Sequence, residues 1–92
     1  MAAFIMLGKY SPSALKEMSP ARTARAVEMI QECGGRVESM YATLGPNDLV
    51  FVVDLPDLEK AMQASVLLSK LTGIAFTTSP AVTVEQFDKL MS

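Results

Sequence analysis

Histidine is absent from this 92-residue sequence. That absence removes the commonest metal ligand, the usual haem ligand and the usual general base. Catalytic triads and zinc sites that depend on histidine are therefore excluded. The sequence also lacks a Gly-rich phosphate loop, a CxxC pair and a closely spaced acidic cluster. We expect no metal and no cofactor.

Cysteine and long apolar runs are equally scarce. The single cysteine, Cys33, cannot form an internal disulfide, and the first four residues lack the basic lead and apolar run of a secretory signal. No uninterrupted apolar run, including the dense stretch at residues 49–53, reaches the roughly 18 residues of a membrane span. We therefore expect a cytoplasmic protein with no membrane contact.

The chain has no excess of positive charge. Lys and Arg number 8 against 10 for Asp and Glu, which gives a formal net charge of -2. Nucleic-acid-binding domains typically have a pI above about 9 and a clustered basic stripe, so we expect no nucleic-acid partner. Half of the residues are apolar, and the length predicts one globular domain over residues 1–92.

The first half of the chain predicts a strand, an interrupted helix and a second strand. Residues 3–9 are apolar on both alternating faces, which is typical of a central strand. The pairs Ser11-Pro12 and Ser19-Pro20 each combine an N-cap with proline at the first helical position, so the helix is broken or kinked near Pro20. Its predicted apolar stripe comprises Leu15, Met18, Ala26, Val27, Ile30 and Cys33.

Glycine and turn residues mark the next boundaries. Gly34-Gly35 ends the helix in the left-handed conformation, and residues 36–44 alternate as a partly solvated edge strand does. The turn at 45–48 joins it to residues 49–55, a second strand that is apolar on both faces, and together they predict a β-hairpin.

The remainder predicts a helix, a strand and a short terminal helix. Pro56-Asp57 opens the helix and Gly73 ends it, with apolar spacing at Leu58, Ala61, Met62, Ser65, Leu68 and Leu71 or Thr72. A fourth strand from residue 74 stops at Pro80. Thr83-Val84-Glu85-Gln86 matches a capping box, which predicts a C-terminal helix carrying Phe87 and Leu90.

The predicted order is β, α, β, β, α, β with a terminal helix. This is the α+β, ferredoxin-like βαββαβ sandwich on a four-stranded antiparallel sheet. The first and third strands are central in that topology, and they are the two strands that are apolar on both faces. Helices cover only one face of such a sheet, so we expect self-association through the other face into a homodimer or a higher homo-oligomer.

Several segments resemble a known family. The run from Tyr41 to Val50, with Ser19-Pro20-Ala21-Arg22 upstream and Val84-Glu85-Gln86-Phe87 downstream, is similar to the GYD domain family over nearly the whole chain. The resemblance implies a small bacterial or archaeal protein with the fold of a dimeric α/β barrel, in a family without one agreed activity. The family has a signature of glycine, tyrosine and aspartate. Its glycine and aspartate correspond to Gly45 and Asp48, whereas Pro46-Asn47 stands where its tyrosine is expected.

Three side chains are candidates for ligand binding. Asp48 offers a base or an acceptor, although aspartate at a hairpin turn commonly accepts its neighbours' N–H groups. Arg22, near a helix start, offers a planar fork for a carboxylate or phosphate, or is simply a solvated surface charge. Tyr41 either donates into a cavity between helices and sheet or is an interfacial residue with a wet hydroxyl.

Other distinctive residues are interpreted as structural. Cys33 lies at a helix C-terminus, where the dipole disfavours a thiolate, so we expect a buried, unreactive thiol. Five of the seven methionines fall inside predicted elements and are expected to fill core gaps. They are Met6, Met18, Met29, Met40 and Met62.

Two functions of different class remain open. The first is a regulatory or ligand-binding module for a small anionic or apolar molecule, favoured because no activated nucleophile or base constellation is visible. The second is a cofactor-free enzyme of the dimeric α/β barrel type, similar to monooxygenases or isomerases, which rests on fold analogy alone.

Overall fold

The structure is a computed structural model that describes residues 1–92. Eight elements follow one another along the chain: β1 (Ala2–Lys9), α1 (Pro12–Lys16), α2 (Pro20–Glu32), β2 (Arg36–Ala42), β3 (Leu49–Leu55), α3 (Leu58–Thr72), β4 (Ala75–Ala81) and α4 (Val84–Met91). The four strands form one antiparallel sheet in the order β2-β3-β1-β4. The predicted ferredoxin-like α+β topology is confirmed.

Helix starts are determined by side-chain caps. In each helix the N-cap oxygen accepts the N–H of the residue three positions later, which satisfies one of the amides that have no partner within the helix. The caps are Ser11, Ser19, Asp57 and Thr83. The prolines at Pro12 and Pro20 occupy first-turn positions, where no N–H is needed, so the predicted interruption divides the segment into two helices.

One face of the sheet packs against α2 and α3 and forms the core. The strands contribute five side chains that are at most 4% exposed, and the helices contribute small or aliphatic ones. The strand residues are Phe4, Met6, Phe51, Val53 and Leu55, and the helix residues are Ala26, Ile30, Ala61, Ala64 and Leu68. Cys33 is also buried in this cluster, as predicted.

Glycine permits a close approach where α2 turns into β2. Gly34 has a φ of 84° and reverses the chain after the helix. At Gly35, a Cβ would stand only 2.3 Å from the Asp54 carbonyl oxygen. Any larger residue would therefore push β2 away from β3.

Several predicted core positions are wrong. Leu15 and Met18 are 51% and 56% exposed, because Ala14 is the residue of α1 that faces inward. On α3, the buried side chains are Ala61, Ala64, Leu68 and Thr72, whereas Leu58, Met62 and Leu71 lie on the solvent side. Small alanines let α3 approach the sheet closely, so the larger apolar side chains are displaced to the outer face.

The C-terminal ends of two strands also differ from prediction. Strand β2 ends at Ala42 rather than at residue 44. Strand β4 continues through Pro80 to Ala81. Because β4 is an edge strand, the missing N–H of Pro80 can face away from the sheet without breaking a ladder.

Candidate functional site

One corner of the molecule brings together Arg22, Asp48 and an aromatic residue that the sequence analysis did not single out, Tyr10. We call this group the Tyr10 corner. Tyr10 follows the end of β1, Asp48 precedes β3, and Arg22 lies in the first turn of α2. All three side chains belong to partly buried residues, so they are positioned by the protein yet accessible to a ligand.

Asp48 is anchored through both its backbone and its side chain. Its N–H donates to the Gly8 carbonyl at 2.8 Å, and its own carbonyl accepts the Thr43 N–H at 2.9 Å. The carboxylate oxygen Oδ2 accepts the Tyr10 N–H at 2.8 Å. We expected the Asp48 carboxylate to accept N–H groups of its neighbours in the turn. It instead accepts the N–H of Tyr10, which follows the end of β1.

Arg22 lies over the ring of Tyr10. The Arg22 Cζ is 5.8 Å from the ring centroid, within cation–π range. One guanidinium nitrogen donates to the Ala14 carbonyl, which ties α2 to α1. A guanidinium has five N–H donors, so this arrangement fixes the side chain while leaving donors for a further acceptor.

A cavity of about 370 Å³ opens beside this corner. Its lining residues are Tyr10, Ser11, Pro12, Leu15 and Asp48. The exposed Leu15, which does not serve the core, supplies apolar surface here. A carboxylate, an aromatic ring and an aliphatic side chain together suit a small molecule with one apolar and one polar end.

Tyr41 lies on the opposite face of the sheet from Arg22. It pairs with Val50 in the β2–β3 ladder and is 60% exposed. The prediction that its hydroxyl enters a cavity between helices and sheet is therefore wrong in placement. The alternative interpretation, an interfacial tyrosine, fits its position on the face that no helix covers.

The uncovered face of the sheet, here called the open face, has an apolar centre. Ile5, Leu7, Val50 and Val52 are only partly buried there. At one end, Arg36 donates to Asp54 at 3.2 Å and approaches Glu38 at 2.7 Å. Hydrogen bonding with Glu38 and from Arg36 lowers the pKa of Asp54.

A second cavity, of about 190 Å³, lies between α3 and strands β1 and β4. It is largely apolar, and its polar groups are the hydroxyls of Ser65 and Thr78, which bond to each other at 2.9 Å. Its lining residues are Phe4, Leu58, Ala61, Met62, Ser65, Val66 and Thr78. None of these residues titrates, so the cavity offers shape and apolar contact rather than acid–base chemistry.

Tyr10 was not predicted as a site residue, although one feature of the sequence indicates where its side chain lies. Period-two alternation places it on the same face as Phe4 and Met6, directly before a predicted helix cap. Its contact with Arg22 depends on how α1 and α2 fold back over the strand end, which local sequence does not encode.

Comparison with known proteins identifies the family and the fold. The GYD domain family matches residues 4–91. No curated protein matches the chain. Among solved structures, the leucine response regulatory protein of Mycobacterium tuberculosis is similar, with a TM-score of 0.64 and 16% identity over 89% of this chain and 51% of that one.

A second solved structure, a glutamate-to-alanine mutant protein, has a TM-score of 0.65 and 17% identity. The match covers 89% of this chain and 50% of that one. The present chain thus spans about half the length of both structures, and at these identities the likeness establishes the shared fold. No helix combines the length and apolar character needed to cross a membrane.

Proposed function

We propose that this chain, which belongs to the GYD domain family, is a self-associating regulatory module of the cytoplasm that binds a small ligand at the Tyr10 corner. The observation that carries the proposal is the Arg22 guanidinium held over Tyr10 beside a cavity lined by Asp48. A fixed cation, a carboxylate and an aromatic face are a recognition surface without a reacting group.

The charges at the corner favour one class of ligand. Arg22 has donors left for a carboxylate, which its planar fork binds well. Asp48 lines the cavity and repels multiply charged anions. We therefore propose a small monoanion, or a zwitterion whose amino group faces Asp48, in preference to a phosphate dianion, with its apolar part against Leu15.

Self-association is the second part of the proposal. The apolar centre of the open face, with Tyr41 beside it, suits burial against the same face of a second copy. The two similar solved structures share this sheet topology but contain about as much additional chain again. The likeness of this chain to one of them, a leucine response regulatory protein, supports the regulatory interpretation by analogy of fold.

A thermal-shift screen with small carboxylates, amino acids and inorganic phosphate tests the ligand site. We expect stabilisation by a carboxylate or zwitterion that Arg22→Ala removes. The matched control is Arg25→Ala on the same helix, because Arg25 pairs with Glu32 at 2.7 Å, whereas Arg22 is the arginine that lies over Tyr10. Equal responses of the two variants, or no stabilisation of the wild type, would contradict the assignment.

A cofactor-free enzyme of the dimeric α/β barrel type is the alternative. Its supporting observation is the apolar cavity between α3 and the sheet, which is able to hold an apolar substrate. The Ser65 and Thr78 hydroxyls satisfy each other there, an arrangement without the adjacent base that activates a nucleophile. Stabilisation by apolar compounds that survives Arg22→Ala but is lost in Ser65→Leu would favour this alternative.

A further inference from the structure

Helix α4 has an apolar side that nothing in its own chain covers. None of its residues is buried, and Phe87 and Leu90 are 50% and 71% exposed. At 100° per residue, Val84, Phe87, Leu90 and Met91 fall within about 120° of one another. An exposed stripe of this kind is typical of a helix that packs against another surface.

The helix is also too short to be stable alone. It spans eight residues, whereas isolated helices below about 12 residues are marginal in water. Its local stabilisation comes from the Thr83 cap and from an exposed Lys89–Glu85 pair at 3.5 Å, each a modest contribution. Packing of the apolar stripe must supply the rest.

The first turn of α4 lies at one end of the open face. Together they enclose a cavity of about 390 Å³. The sheet side of this cavity is formed by Ala3, Asp54 and Ala81, which the strand register places on the open face. Gln86 of α4 and the N-cap residue Thr83 also contribute. A partner seated on the open face would therefore meet α4 directly.

The open face on its own is comparable in size with the smallest stable interfaces, and α4 would enlarge it. Strands of seven or eight residues at about 4.8 Å spacing and about 3.3 Å rise give a four-stranded face of roughly 450 Å² in projection. Stable interfaces bury at least about 600 Å² per partner. One side of α4, about 12 Å by about 10 Å, brings the total close to that value.

We infer that α4 is an arm whose apolar side, Val84, Phe87, Leu90 and Met91, packs on a second copy of this chain at the end of the open face. This inference rests on the proposed self-association and specifies its interface. The partner is a second copy because α4 borders the same surface whose apolar centre needs covering.

Sedimentation equilibrium on the full chain tests the arm. The arm variant is Phe87→Ser/Leu90→Ser, and the matched control is Asp88→Ser, which alters the polar side of α4 and leaves the Lys89–Glu85 pair intact. We expect a wild-type dimer, an arm variant whose dimer dissociation constant rises at least about tenfold, as for a substituted interface anchor, and an unchanged control.

The possible failures are distinguishable. A monomeric wild type would overturn both self-association and the arm. A wild-type dimer with an unchanged constant in the arm variant would overturn the arm alone. If α4 instead folds onto its own chain, the arm variant will lose melting temperature equally at all protein concentrations. Isotope-filtered contacts from the Phe87 ring in a half-labelled dimer will then be intramolecular, which also overturns the inference.

Discussion

The two faces of the sheet are built by the same strands and differ in what covers them. On the helix side, Met6 and Val53 are completely buried. On the open face, their neighbours Leu7 and Val52 are only partly buried. Both faces are apolar at their centres, so hydrophobicity alone does not tell which one the helices cover. The side of the sheet on which the helices pack therefore determines which face becomes the core. The other face remains uncovered.

The largest expected effect comes from placing a charge on each face of the sheet in turn, which tests whether the two faces are covered differently. Phe51 and Val52 are adjacent and point to opposite faces. Phe51→Lys buries an unpaired ammonium at a cost of several kcal/mol, comparable with the about 5–10 kcal/mol that stabilises a small domain. We expect circular dichroism to show an unfolded chain.

Val52→Lys provides the other half of that test. We expect a native circular dichroism spectrum and weakened self-association in sedimentation velocity, since the lysine reaches solvent in the monomer. A Val52→Lys variant that associates as fully as the wild type would show that the open face is not an interface between copies.

Smaller substitutions sharpen the comparison. Met6→Ala leaves a cavity in the core and should lower the free energy of unfolding by about 2–5 kcal/mol. Leu7→Ala on the open face should lower it by about 1 kcal/mol in dilute solution, and by more as protein concentration rises, because burial by a partner is then lost as well. Urea unfolding at two concentrations gives both values. Equal, concentration-independent losses would contradict the assignment of faces.

The smallest expected effect concerns acid on the open face. The pKa of Asp54 is lowered below its ordinary value of 3.8 by hydrogen bonding with Glu38 and from Arg36. The stabilisation is therefore present above that ordinary value and is lost as the pH falls through the lowered pKa. We expect Asp54→Asn to flatten the acid limb of the stability curve slightly relative to the wild type. An acid limb identical to that of the wild type would remove Asp54 from this role.

Sequence reasoning predicted the order of elements because each boundary carried local chemistry. The Ser-Pro pairs, the Asp57 cap and the left-handed glycines act within a few residues, and they appear where expected. It failed on α3, where three- and four-residue spacing allows two overlapping apolar faces. Leu58 and Met62 compete with Ala61 and Ala64, and the close approach of helix to sheet selects the alanines.

The candidate site was predicted only in part. Arg22 and Asp48 were recognised by type and position, and the structure brings them to one corner. Tyr10 contacts both of them. Its contact with Arg22 arises because two short helices fold over the end of β1. For Tyr41 the sequence left two interpretations open, and the structure favours the interfacial one, because a β-bulge between Val37 and Ser39 places Tyr41 on the open face.

The same bulge has a consequence for the outer rims of the sheet. Exposed strand edges invite pairing with further strands and so lead to open-ended aggregates. One rim here, β2, is distorted by the extra residue Glu38, and the other, β4, contains Pro80, which lacks an N–H to donate. Growth by strand addition is therefore obstructed on both sides. In the proposed self-association, copies would meet through the open face, a surface that is used up once two molecules have met, so association would close at a finite size rather than propagate into fibrils.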